Sequence, residues 1–223
     1  RTGLGMMECK KALVESEGSV DAAIEELRKS SGLKAAKKAG RTAAEGVSLV
    51  KISDDNTAAY IVEVNSETDF VARDDNFIAF ADKVAKAALA AGEADAAKIG
   101  ELLTDDGSTI ETTRQALVQK IGENIQVRRG AVLQSESTIG AYIHGGKIGV
   151  LVSLQGGNAD LGKDVAMHVA AVAPMVVRGD DVPADVLEKE KEIIRGQSDM
   201  AGKPAEIVEK MLGGRINKVL KER

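Results

Sequence analysis

With 223 residues, 43% hydrophobic and 29% charged, the chain has the composition of a soluble globular protein and length enough for one large or two small cores. Its 30 basic and 35 acidic residues leave a net charge of −5, which argues against general nucleic-acid or anionic-membrane binding, since both need a positive surface. The single cysteine, Cys9, excludes an intrachain disulfide and a multi-cysteine metal site and fits a reducing, cytoplasmic compartment; no apolar run approaches the roughly 20 residues of a membrane span.

Residues 6–30 read as two short helices. Cys9, Ala12 and Leu13 make one apolar face, Gly18 closes it, Ser19 is an N-cap, and Val20, Ala23, Ile24 and Leu27 recur at helical spacing. Met6 and Met7 are expected in a loop before the first helix, as a plug for this small core or as a flexible contact for a partner. The Thr2-Gly3-Leu4-Gly5 opening reads as the end of a preceding helix and Lys221-Glu222-Arg223 as the inside of another, so residues are expected beyond both ends. Residues 31–46 read as a glycine-punctuated linker with some helix, its Lys34, Lys37, Lys38 and Arg41 forming a solvated face or meeting an acidic partner.

A β-hairpin is predicted from Val47–Ile52 and Ala58–Val64 around Asp54-Asp55-Asn56. It runs into Ser66–Phe80, which holds all three phenylalanines of a chain that is 2% aromatic. A helix, Phe77–Ala91, runs out of it; Asp69 and Phe70 fall between the two periodicities, on a turn. A short helix at Ala96–Leu103, a helix at Thr112–Lys120 closed by Gly122 and a strand at Ile125–Leu133 follow. Then hairpin and helix come again: Ile139–Ile143 and Lys147–Leu154 around His144-Gly145-Gly146, followed by Leu161–Val172. The recurrence implies a duplicated α+β unit. Ala184–Arg195 and Ala205–Leu220, joined through Ala201-Gly202-Lys203-Pro204, read as an antiparallel coiled-coil hairpin in which Val186, Leu187, Ile193 and Ile194 face Ile207, Val208, Met211 and Leu212.

No pattern supports bond chemistry. The Gly-Gly pairs lack the spacing and the Lys-Ser/Thr of a phosphate loop. His144 and His168 have no cysteine cluster near them, and Glu67, Asp69, Asp74 and Asp75 lack the spacing of a calcium loop. No metal or cofactor is expected. His168 reads as a core or rim histidine on an apolar helical face. His144, at a hairpin tip, reads either as an exposed turn residue or as a partner contact.

Four segments carry a family resemblance: Gly5-Met6-Met7-Glu8-Cys9-Lys10-Lys11-Ala12-Leu13, Thr68-Asp69-Phe70-Val71-Ala72, Lys120-Ile121-Gly122-Glu123-Asn124-Ile125 with Arg128-Arg129, and Met167-His168-Val169-Ala170. In order and spacing they resemble the bacterial elongation factor Ts family. The resemblance implies an α+β protein with a small ubiquitin-associated-like helical domain and linker at 1–40, duplicated core subdomains at 41–133 and 134–178, and the coiled-coil hairpin at 179–223. It implies a guanine nucleotide exchange factor, not an enzyme of bond chemistry, whose partner is the GTPase elongation factor Tu, with no direct nucleic-acid or membrane contact. Thr68, Asp69, Phe70 and Val71 would enter the partner's G domain beside its Mg²⁺ site, and His144 would insert nearby. Met6, Met7, Lys38, Ile121 and Gly122 would make further partner contacts. A module that captures a partner without changing its nucleotide affinity is the alternative, and a one-to-one complex and a dimer of heterodimers both stay open.

Overall fold

The computed structural model of the chain describes residues 1–222, without the side chains of Ser198, Lys221 and Glu222. It is a mixed α and β structure that divides into two compact units, Arg1–Ala170 and Ala171–Arg223.

The first unit opens with α1 (Met6–Glu15) and α2 (Val20–Lys38). Ser19 caps α2, its Oγ accepting from the Ala22 N–H, and Ala12, Ala23 and Leu27 pack with Leu4 and Leu13 into a small core. Met6 and Met7 are not in a loop and do not plug the core; they are the first residues of α1 and stand 82% and 71% exposed. The linker does not begin at residue 31 either, because α2 continues through Gly32 to Lys38. Gly32 lies against the Gln115 side chain and Ala35 is buried in the main core, and that packing outweighs the roughly 1 kcal/mol a helical glycine costs. Nor do the linker cations all form a solvated face: Lys34 pairs with Glu8, Lys38 donates to the Gly122 carbonyl, and Arg41 pairs with Glu67.

Strands β1 (Glu45–Ile52), β2 (Ala58–Ser66) and β3 (Gln126–Gln134) form one antiparallel sheet in that order. Tyr60, Val62 and Val64 alternate onto its core face. Against them a four-residue helix, α3 (Asp69–Ala72), contributes Ala72, and α4 (Asp75–Ala91) lays down Phe77, Phe80, Ala81, Val84, Ala85 and Ala88. Ile99 of α5 (Ala96–Ile99) and Ile110, Leu117 and Val118 of α6 (Ile110–Ile121) close the same core. α5 is shorter than expected: Gly100 caps it, and Leu103 bridges to Thr109 instead of extending the helix.

The second hairpin, β4 (Thr138–His144) and β5 (Ile148–Leu154), is a separate two-stranded sheet. Gly149 of β5 lies against Ile61 and Ser48, side chains of the three-stranded sheet. In α7 (Ala159–Val172) the Gly162 carbonyl occupies the space that a Cβ on Gly140 of β4 would need, so strand and helix meet backbone to backbone. The inward face of α7 carries Gly162 and Ala166, with Val165 and Val169 half-buried. His168 is exposed, not a core or rim residue, because it lies about 200° around the helix from Ala166.

In the second unit α8 (Ala184–Arg195) and α9 (Ala205–Glu222) run antiparallel: Arg195 pairs with Glu209 at 3.1 Å, and Gly179, before α8, lies against Leu220 near the end of α9. Ile194, Met200, Leu212 and Ile216 are buried together, flanked by Leu187, Val208, Met211 and Leu220. Ile193 and Ile207 do not join this seam; they stand 54% and 48% exposed. Ile193 is turned about 100° from its buried neighbour Ile194, and Met200 from the connection fills the space.

Candidate functional site

β2 delivers the chain to Thr68, and the turn expected at Asp69 and Phe70 is a single turn of helix, α3. Thr68 caps α3, its Oγ1 accepting from the Val71 N–H at 3.4 Å. Val71 packs on the main core and Ala72 is buried in it, so the inner side of α3 is anchored. Its outer side carries Asp69 and Phe70. Asp69 accepts a 3.1 Å hydrogen bond from Arg73, four residues on. Phe70 is 82% exposed, whereas Phe77 and Phe80 are 0% and 2% exposed. Shortly beyond α3, Asp74 caps α4, accepting from the Asn76 and Phe77 N–H groups at 2.9 and 3.2 Å. Phe70 therefore projects from a segment fixed at both ends by helix caps.

A second fixation comes from the end of α6. Gly122 caps that helix with φ +91°, a conformation open to glycine. Lys38 donates to its carbonyl, and Ile121 packs on the main core. The next residue, Glu123, reaches back to α3: its Oε2 accepts from the Glu67 and Thr68 N–H groups at 3.1 and 3.0 Å, and its Oε1 accepts from the Thr68 hydroxyl at 2.7 Å. In return Glu67 Oε1 accepts from the Asn124 N–H at 2.6 Å, and the buried Asn124 amide donates to the Arg41 carbonyl at 2.8 Å. One turn earlier in α6, Gln119 donates to Glu8 at 2.6 Å, and Lys34 donates to the same carboxylate. That carboxylate sits just after the exposed Met6 and Met7. The structure thus gathers Lys38, Ile121, Gly122 and the support of both α3 and α1 around the last turns of α6.

His144 comes from a different element. It is the exposed last residue of β4, with Nδ1 3.1 Å from the Tyr142 hydroxyl. The hairpin tip is seated on β1: the Ser48 N–H donates to the Gly146 carbonyl at 2.7 Å, and Lys147 pairs with Glu45 at 2.6 Å. Glu45 is the register partner of Ser66, three residues before Asp69. The start of β1 therefore carries the supports of both His144 and Phe70. Sequence reasoning missed Glu67, Glu123 and Asn124 as supports, since no periodicity or spacing marks a contact made across 55–57 residues.

Two carboxylates around this hub are held below their ordinary range: Glu8 by its hydrogen bond from Lys34, and Asp74 by that from the Asn76 side chain. Because their folded values are depressed, the stability they contribute is complete above the unfolded value near about 4 and is lost as pH falls through the lower folded values. Urea midpoints should be flat between about pH 7 and 5 and fall below about pH 4. An Asp74→Ala variant should show a shallower acid loss.

Among the described residues no three His, Cys, Asp or Glu side chains are placed to hold a metal ion, and no helix is long and apolar enough to cross a membrane. This surface presents an aromatic ring and a carboxylate on a turn pinned by helix caps. A family described as "Elongation factor TS" matches residues 67–223. Over 222 residues the chain is 74% identical to the elongation factor Ts of Alcanivorax borkumensis and 69% identical to that of Arthrospira platensis, covering all of this chain and 78% and 90% of those proteins. It is 66% identical over 224 residues to the elongation factor Ts of Marinobacter nauticus, covering 75% of that protein. The chain belongs to the elongation factor Ts family, a family of translation elongation factors.

Proposed function

We propose that the protein binds elongation factor Tu and accelerates its release of GDP, with Asp69 and Phe70 as the pair that enters the partner's G domain. The observation that carries this reading is the contrast among the three phenylalanines: two are buried and Phe70 is 82% exposed on a turn capped at both ends. An aromatic side chain gains about 1.5–3 kcal/mol on burial, so a rigidly displayed ring is a ready anchor for a partner's pocket.

A G domain holds GDP through Mg²⁺, through backbone N–H groups around the phosphates and through base contacts. A ring forced between packed partner elements displaces them by its bulk, because close-packed interiors do not yield continuously. Asp69 acts beside it on the groups that order the metal. His144, borne on the same end of β1, adds a second intrusion, while Met6, Met7, Lys38, Ile121 and Gly122, with Thr68 and Val71 beside the ring, hold the partner. No bond is made or broken. By linkage, a factor that weakens nucleotide binding is itself bound more weakly in the presence of nucleotide, so GTP completes the cycle. The same reading divides the chain into a helical module at 1–40, related α+β subdomains at 41–133 and 134–178, and a coiled-coil hairpin at 179–223, acting in the cytoplasm.

The test is stopped-flow release of a fluorescent GDP from elongation factor Tu with and without the protein. Acceleration of at least about tenfold is expected, a barrier lowered by about 1.4 kcal/mol; binding without acceleration would leave a capture module in its place.

A further inference from the structure

The geometry points to Glu123 as a positioning residue that aims Phe70: we propose that its carboxylate clasps the start of α3 so that the end of α6 and the projecting ring act on the partner as one rigid piece. This rests on the exchange reading above. A four-residue helix has too few internal hydrogen bonds to hold its own direction, because helix nucleation is unfavourable. The direction of α3 comes from contacts outside it: Val71 and Ala72 seat its inner side on the core, and Glu123 fixes its root with three hydrogen bonds, from the Glu67 and Thr68 N–H groups and from the Thr68 hydroxyl. Bonds to an ionised carboxylate are stronger than neutral ones.

The third bond does the aiming. Thr68 Oγ1 donates its proton to Glu123 and, with the same oxygen, accepts from the Val71 N–H, so the rotamer of the cap is set by Glu123. Glu67 closes the clasp from the other side by accepting from the Asn124 N–H at 2.6 Å, with Arg41 3.5 Å from the same carboxylate oxygen. Two acidic residues thus each bind backbone beside the other, in the manner of a reciprocal capping pair joining two segments distant in sequence. The clasp begins one residue after Gly122, so any partner contact at Ile121 and Gly122 is coupled to Phe70 through only a few bonds.

The experiment uses the full chain with elongation factor Tu loaded with fluorescent GDP, and compares Glu123→Ala, Glu123→Gln, Phe70→Ala and the Phe70→Ala/Glu123→Ala pair. Glu123→Ala should slow stimulated release about tenfold, about 1.4 kcal/mol in the barrier. Glu123→Gln retains an amide oxygen for a backbone N–H and should fall between it and the parent; being nearly isosteric, it also serves if the alanine variant folds poorly. If Glu123 acts through the ring, the paired variant should be no slower than Phe70→Ala, whereas a role in general stability adds to it. Hydrogen exchange on the free protein should show the Glu67 and Thr68 amides losing protection in Glu123→Ala. Additive losses, unchanged amide protection, or normal release by Glu123→Ala alongside a slow Phe70→Ala would overturn the clasp and leave the exchange reading standing. Normal release by Phe70→Ala would remove the exchange mechanism, and the clasp's purpose with it.

Discussion

Phe70→Ala should leave the fold unchanged and abolish most of the stimulated GDP release. The ring is 82% exposed, so truncating it leaves no cavity and should change stability by no more than about 0.5 kcal/mol. At an interface the same ring is a central anchor, and truncating such an anchor costs about 2 kcal/mol or more, roughly thirtyfold in the rate it supports. Circular dichroism and thermal unfolding should therefore match the parent while stopped-flow release falls. His144→Ala should cost less, since the Phe70 wedge stays in place. A Phe70→Ala protein that still stimulates at the parental rate would take the ring out of the mechanism.

Phe77→Ala, in the next helix, should do the reverse. Phe77 is fully buried in the main core between the sheet and α4, with Tyr60, Val62 and Val64 on the strand side of the same cluster. Removing it deletes the buried ring and opens a cavity that a close-packed core fills only in part, a loss of about 3–5 kcal/mol. The unfolding midpoint should fall by roughly 10 °C. Exchange activity measured below that midpoint, per folded molecule, should be close to parental, because α3 has its own cap and its own attachment to Glu123. Loss of activity in proportion to unfolded protein would agree with this; a fully folded but inactive Phe77→Ala would show that Phe70 is aimed from the core.

The two substitutions also mark how far the local code reaches. Alternation at Tyr60, Val62 and Val64 and the helical spacing of Phe77, Phe80, Ala81, Val84 and Ala85 are properties of neighbouring residues, so the sheet face and the helix that covers it can be read directly. Ser19, Gly122 and Ala184–Arg195 are legible for the same reason, since caps and amphipathic stripes act within a turn or two. Phe70 is visible as a residue claimed by neither period. Its exposure is not, because a ring in an unassigned turn can fold inward or outward, and the burial of Val71 and Ala72 on the opposite side of α3 turns it outward.

The run of α2 through Gly32 shows the opposite case: a local breaker signal is overruled by contact with Gln115 and by burial of Ala35. Apolar character alone puts Ile193 and Ile207 in the helical seam, yet one helical position is about 100° of rotation, and the partner helix selects which of two adjacent apolar residues is buried.

The order of the strands and of the longer helices, the sheet face and the face of α4 that covers it, the Ser19 and Gly122 caps and the family motifs were thus determined by the amino-acid sequence itself, since each depends on residues within a few positions of one another. The aim of Phe70, the joining of Glu67 and Thr68 to Glu123, and the seating of the His144 hairpin on β1 were decided only by the tertiary structure. Those contacts span 55 to 102 residues, and hydrogen bonds at that range leave no periodic trace in the chain: they exist only once the cores on either side have brought the groups within about 3 Å of each other.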